Sequence, residues 1–553
     1  MAVDVPGLVS VIVFYVCILA IGVWGSRKSK KVEKKCSSSK SEIAIIGGRN
    51  INILVGIFTM TATWVGGGYI MGTAESVYSP TQGLVWALGP PAYVLCFFVA
   101  GLFFAKPMRS KRYVTMLDPF QNRYGKAFTV TLLLPALVSD ILWVACILAA
   151  LGGTMSIILG LSSTISIIIS AAVSIVYTLL GGLYSVAYTD IIQLCFIFFS
   201  LWLCVPFMVL SPAVTHSAYE DTLCVYSQFC FTWHEVRNVR CDKCKVVSFS
   251  NPVLLVLQAL GGLSYQALYQ RILSAASSVQ AQISCFAAAL TVFIMGIPSV
   301  VIGVMASAAD WNQTAYGLPP PFERGETGKI LPLALQHLTP TWVAVLGTGS
   351  VAAAVMSSMD SVLLSSASMF TQNIYKTTLR KTASERELQW VIRISVLVVG
   401  LAGTGLAFGD DSVFSLWVLS GDLLYCVIFP QLLCVLHFQH ANTYGAFFGF
   451  VVGLLLRGLS GEPILGIPPV LLYPGWREEN NVIRQYFPYR TVAMLFSVVS
   501  IPAVSCLLKL IFEHQLIPQS WDFLQVFKKK NEVEEDEAPD PCEEMNQVHN
   551  TKF

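Results

Sequence analysis

The chain's most constraining feature is a succession of apolar stretches near or above the roughly 20 residues needed to cross the core of a bilayer. They recur from residue 7 to about residue 512. The stretches fall at 7–25, 51–75, 82–105, 127–158, 163–182, 187–210, 250–272, 281–306, 340–372, 389–408, 412–436, 443–460 and 490–512, about thirteen spans in all. Only 12% of the residues are charged and 55% are hydrophobic, against about a quarter charged in ordinary soluble domains. A segment in lipid must satisfy its own backbone hydrogen bonds, and spans of this length do so as helices. The expected class is therefore an all-α polytopic membrane protein with about 13 transmembrane helices. The first stretch has no basic region before it and no small-residue cleavage pattern, so it is expected to be a retained span, not a leader.

The formal net charge of +2 argues against a nucleic-acid partner and against an acidic substrate. Basic clusters follow the first span (Arg27, Lys28, Lys30, Lys31, Lys34, Lys35), the third (Lys106, Arg109, Lys111, Arg112), the ninth (Lys376, Arg380, Lys381) and the last (Lys528, Lys529, Lys530). Basic loops stay on the cytoplasmic side. With thirteen spans, that places the N-terminus outside and the C-terminus in the cytoplasm. The sequon Asn312-Gln313-Thr314 then falls in an outside loop and is the candidate glycosylation site. Cys224, Cys230, Cys241 and Cys244 share the outside loop 211–249. Four cysteines there permit two disulfides in three pairings, or Cys241-x-x-Cys244 with His234 could hold zinc. The acidic tail, 516–553, is expected to be largely disordered.

Polar groups at membrane depth are costly, so those present carry information. The second span contains Thr61-Ala62-Thr63-Trp64-Val65-Gly66-Gly67-Gly68-Tyr69, and the seventh contains Ala259-Leu260-Gly261-Gly262-Leu263-Ser264-Tyr265-Gln266. Both are apolar helices interrupted by glycine beside an aromatic ring, and they lie five spans apart. This is the pattern of two inverted repeats whose first helices unwind at a midplane site. The core repeats are expected at about 51–210 and 250–436. Glycines of this kind also serve close helix packing. In the ninth span, Ala354-Val355-Met356-Ser357-Ser358-Met359-Asp360-Ser361 offers the oxygen ligands that hard cations prefer. Glu75, Asp140, Asp190, Asp360 and Asp422 are acidic groups at membrane depth, with Asp360 and Asp190 foremost. Phosphate-loop, zinc-hydrolase and nucleophile-elbow motifs are absent, so the chain is not expected to be an enzyme or a nucleotide-driven pump.

The stretches Thr59–Ile70, Lys106-Pro107-Met108-Arg109-Ser110-Lys111, Gly181–Asp190, Asp310–Pro319 and Phe429–Leu436 resemble the choline-transporting branch of the sodium/solute symporter family, and the likeness extends over residues 7 to 515. The resemblance implies a LeuT-like 5+5 inverted repeat with a broken first helix in each repeat, and sodium-coupled, chloride-dependent import of choline. It implies an aromatic cage at Trp64, Tyr93, Trp143 and Trp417, with Tyr265 where the family has tryptophan. It further implies a sodium site of Ala62, Val65, Ala354, Ser357 and Ser358, and a weaker second cation set of Asp190, Asp360 and Ser361. A plasma-membrane setting follows, with presynaptic membrane and vesicles and a homo-oligomer admitted. Ser264-Tyr265 and Met71 depart from the family pattern, so another quaternary amine or osmolyte stays open as the substrate. So does a sensor or channel on the same fold.

Overall fold

A computed structural model describes residues 40–214 and 250–527, except 181, 182, 410, 411, 463, 464, 480, 481, 486 and 525; before residue 40 it describes 9, 16, 20–22, 24 and 25. Most of the first predicted span, Cys224, Cys230, Cys241, Cys244 and the tail beyond 527 lie outside the described residues.

The chain enters with α1 (Lys40–Ile46), followed by α2 (Ile53–Trp64) and α3 (Gly67–Tyr78). Then come α4 (Leu84–Ser110), α5 (Asp118–Tyr124), α6 (Lys126–Leu159), α7 (Ser163–Leu180) and α8 (Leu183–Val209). The second series is α9 (Ser250–Gly262), α10 (Gln266–Ser274), α11 (Ser278–Ser307), α12 (Ile330–Leu338), α13 (Thr341–Leu379), α14 (Glu385–Leu406) and α15 (Val413–His437). Helices α16 (Thr443–Leu459) and α17 (Tyr489–Glu513) close the bundle, with a small hairpin of β1 (Arg477–Glu479) and β2 (Val482–Arg484) between them. Eight described helices are long and apolar enough to cross a bilayer, nine when α2 and α3 count as one span bent by 48°. Helices α7, α9 and α16 carry shorter apolar segments. Every predicted span from the second onward thus coincides with a helix or a broken pair, but eight or nine of these, not twelve, are long and apolar enough to cross a bilayer.

Local chemistry sets the ends. Asn52, Ser277, Ser412 and Asn442 accept backbone N–H groups at the starts of α2, α11, α15 and α16, and Ser384 with Glu387 forms a capping box on α14. Gly160, at φ 66°, stops α6 in the left-handed conformation that a side chain would resist. Prolines 135, 206, 298 and 502 sit inside long helices, as neighbouring helices in a membrane bundle allow.

Packing repeats itself. Helix α4 lies on α11 and α6 on α13; α8 packs on α13 as α15 packs on α6; α7 joins α6 as α14 joins α13. The first helices exchange partners too, with α2 and α3 against α11 and α9 against α4. Each of these contacts in one series of five has a counterpart in the other. Five spans apart, the two series cross the layer in opposite senses, which is the inverted repeat.

Outside the repeats, α16 and α17 are fastened to α15 by charge. Asp422 accepts from Arg457 Nε at 2.6 Å and Arg490 Nε at 3.0 Å, and both arginines also reach Glu462. Both guanidinium groups lie over the Tyr489 ring.

Candidate functional site

The site grows from the two breaks. At the first, α2 ends as Val65 N–H bonds the Thr61 carbonyl at 2.9 Å, and Gly66 is extended (φ −116°, ψ −170°) before α3 begins. The serine pair of α13 meets the carbonyls at this stop. Ser357 Oγ donates to Ala62 O at 3.0 Å, and Ser358 Oγ donates to Thr63 O at 2.9 Å. A Cβ on Gly66 would overlap the Ser358 hydroxyl and lie 3.7 Å from Ala354 O. Four of the five predicted sodium positions, Ala62, Ala354, Ser357 and Ser358, are therefore gathered at one oxygen-rich point, with Val65 at the break itself. Hydroxyls and main-chain carbonyls without a bulky neighbour are the ligand type a small hard cation takes.

Beside it stands a charged cluster. Asp190 on α8 accepts from Ser357 Oγ at 2.7 Å and from Thr59 Oγ1. Its carboxylate faces Arg271 of α10 at 3.9 Å. Arg271 donates to Ser361 and to Gln270 Oε1, and Ser361 lies 3.1 Å from Thr63 Oγ1. Asp190 thus touches Ser357, and Ser361 touches Thr63, the neighbour of Ala62. Asp360 turns the other way and accepts from Thr178 Oγ1 of α7 at 2.6 Å. Arg271 is within electrostatic reach of Asp360 as well, so the three predicted second-cation residues all engage that one guanidinium. Sequence reasoning overlooked Arg271, although an arginine nine residues past a glycine pair in a span was a readable signal.

The second break is a turn. Ser264 N–H bonds Gly261 O at 2.9 Å and Tyr265 N–H bonds Gly262 O at 3.4 Å, after which α10 starts. All nine residues of α10 and all twelve of α3 are buried. Glycine at 262 leaves room for a neighbour, since a Cβ there would stand 3.2 Å from the Trp64 ring and 2.9 Å from Cys96 Sγ. Into this space come the five predicted rings. Trp64 meets Tyr93 at 4.7 Å, Trp143 at 5.8 Å and Tyr265 at 5.8 Å between centroids. Trp143 meets Tyr265 at 4.5 Å, and Tyr93 meets Trp417 at 5.7 Å. None is more than 5% exposed. Hydrogen bonds hold the orientation, from Trp417 Nε1 to Tyr93 Oη at 2.6 Å and from Tyr265 Oη to Ser420 Oγ at 3.0 Å. Tyr69, stacked on Tyr93 at 5.2 Å, extends the cluster.

Such a cluster offers ring faces and edges from both repeats in a dry interior. A cation that cannot donate hydrogen bonds is attracted to ring faces within about 6 Å of the centroid. Because these rings touch one another, three pairs edge to face and two tilted, a guest must part them. Asn312 is exposed, in a short turn capped by Asp310 after α11. Among the described residues no cluster of histidine, cysteine and carboxylate groups is arranged to hold a metal ion.

Residues 45–453 match the model of the Sodium:solute symporter family. The chain is 46% identical over 539 residues to the High-affinity choline transporter 1 of Torpedo marmorata, covering 97% of this chain and 91% of that one. It is 47% identical over 523 residues to the High affinity choline transporter 1 of Homo sapiens, covering 94% and 88%. A more distant relative is the Sodium/proline symporter of Escherichia coli (strain K12), 26% identical over 472 residues, covering 82% and 88%. Among solved structures, the substrate-bound outward-open state of a Na+-coupled sialic acid symporter superposes with a TM-score of 0.69 at 17% identity, covering 91% of this chain and 98% of that chain. That likeness carries the fold, which is LeuT-like.

Proposed function

Since the chain belongs to the sodium:solute symporter family, a family of non-enzymatic sodium-coupled carriers, we propose that its solute is choline, imported across the plasma membrane. The observation that carries this reading is the aromatic cage. Five buried rings from both repeats, Trp64, Tyr93, Trp143, Tyr265 and Trp417, each lie 4.5 to 5.8 Å from at least one other. A quaternary ammonium has no proton to donate, so ring faces are its natural partners, each contributing about 0.5 to 2 kcal/mol when desolvated. The names of the relatives at 46% and 47% identity support the same substrate.

In this reading sodium binds the oxygens of Ala62, Val65, Ala354, Ser357 and Ser358. It draws the stop of α2 onto α13 and so fixes Trp64, the last residue of α2, in the cage. Choline then completes the site, and the two repeats rock about it to open the other face. Chloride dependence, an extracellular N-terminus, a cytoplasmic C-terminus, glycan attachment at Asn312, pairing of the four loop cysteines and assembly of copies belong to the same proposal. One observation favours a second reading, a symporter for another quaternary amine or osmolyte. Tyr265 brings a hydroxyl to the cage, bonded to Ser420, where a polar solute could compete for it.

The test is uptake of labelled choline by cells expressing the full chain, with external sodium replaced by lithium or N-methylglucamine and with Trp64→Ala alongside. Sodium-dependent uptake that the substitution abolishes is expected. Uptake indifferent to sodium would reject coupling, and absent choline uptake with sodium currents evoked by another solute would select the second reading.

A further inference from the structure

Among the described residues, the acids buried in the two repeats are balanced, with one exception. Asp190 faces Arg271, and Asp422 is held by Arg457 and Arg490. Arg271 also acts electrostatically on Asp360. Glu75 accepts from Ser412 Oγ and Phe414 N–H at the start of α15, where the helix dipole favours an anion. Asp140 of α6 has none of these. It is 1% exposed, and among the described residues its one hydrogen bond comes from the neutral Ser366 hydroxyl at 2.6 Å, with no ion pair.

Its place gives that imbalance a use. Asp140 lies three residues before Trp143, on the same face of α6 one turn nearer its start. It is also within electrostatic reach of the Tyr265 hydroxyl. Trp143 and Tyr265 are the closest ring pair of the cage, at 4.5 Å. The carboxylate therefore lies one helical turn from one ring of that pair and within electrostatic reach of the hydroxyl of the other. Ring quadrupoles act only at contact, whereas a full charge in a poorly screened interior acts across several ångströms. An unpaired buried carboxylate costs several kcal/mol, and a permanent cation lodged nearby relieves it.

We propose that Asp140 is the counter-charge of the cage, selecting a permanently cationic solute over a neutral one of the same shape. The proposal rests on the choline reading. The rings set shape and exclude water, and Asp140 sets the sign.

The experiment compares choline with its neutral carbon isostere, 3,3-dimethylbutan-1-ol. Each competes against tracer choline on the full chain in sodium, for the parent, Asp140→Asn and Asp140→Glu. Neutralisation is expected to weaken choline by about tenfold or more while the isostere stays within about twofold, and Asp140→Glu restores choline. A merely structural role would move both competitors together, so the ratio of the two inhibition constants is the readout. Asp140→Ser, a smaller neutral variant read by the same ratio, serves if the Asn variant does not reach the surface. A neutral variant with the parent's ratio overturns the counter-charge alone. A parent chain that choline does not inhibit overturns the substrate reading with it.

Discussion

The two helix breaks occupy equivalent places in the two repeats and are put to different uses. At the first, α2 stops at Trp64 and the carbonyls of Ala62 and Thr63 take hydroxyl donors from another helix, Ser357 and Ser358 of α13. At the second, the backbone closes on itself through Ser264 and Tyr265, and the glycines make room for rings and a neighbouring helix. One break frees oxygen and the other frees space. Internal symmetry thus supplies a device, and local side chains decide what it does: small hydroxyls opposite the first break make the proposed cation site, while aromatic groups opposite the second make the proposed cage. Arg271, on the helix after the second break, reaches back to Asp190 beside the first and ties the two uses together.

That tie carries the largest expected effect. Arg271→Met leaves Asp190 buried and unpaired, which costs about 3 to 5 kcal/mol, seen as lost surface expression or a lower melting temperature of the purified protein. Adding Asp190→Leu should recover the fold without recovering sodium dependence. A double variant no more stable than the single one would show that the pair does not join the breaks.

Next in size is a matched pair of glycine substitutions. Gly66→Ala drives a methyl into the Ser358 hydroxyl, an overpacking of about 1 to 3 kcal/mol, and should reduce sodium-driven uptake by roughly tenfold or more by raising the sodium concentration required. Gly262→Ala presses instead on Trp64 and Cys96 and should weaken choline with the sodium requirement kept. Exchanged phenotypes would break the division between oxygen and space.

Trp64→Phe keeps a ring with a weaker face. A loss of about 1 kcal/mol, roughly fivefold in apparent choline affinity, is expected, measured as the half-saturating concentration at fixed sodium. The smallest effect belongs to Tyr265→Phe, which removes the hydrogen bond to Ser420. A change of about 0.5 to 1.5 kcal/mol or less is expected, and no change at all would assign that hydroxyl no part in holding the cage.

Much of this was legible before the fold. Apolar length alone located the spans, because a bilayer enforces it, and the glycine-aromatic pattern located both breaks. The cage residues Tyr93, Trp143 and Trp417 were not readable from periodicity, since an isolated ring in a membrane helix packs or anchors far more often than it binds; the family resemblance named them, and the fold brought them into contact. Asp360 illustrates the limit of spacing. It lies two and three residues past Ser358 and Ser357 on α13, and that offset turns it toward Thr178 of α7 while the serines face α2. Arg271 was legible as a basic residue inside a span, whose charge has to be matched by one of the buried acids.

The four-charge knot of Asp422, Arg457, Glu462 and Arg490 has a consequence for how such a chain can drift. Removing any one member strands a buried charge, yet replacing the whole group by apolar residues of similar volume can cost little. Single steps away from it are therefore uphill while the distant alternative is not. The knot is an evolutionary ratchet: once formed, it is expected to persist as the lipid-facing sides of α16 and α17 change around it.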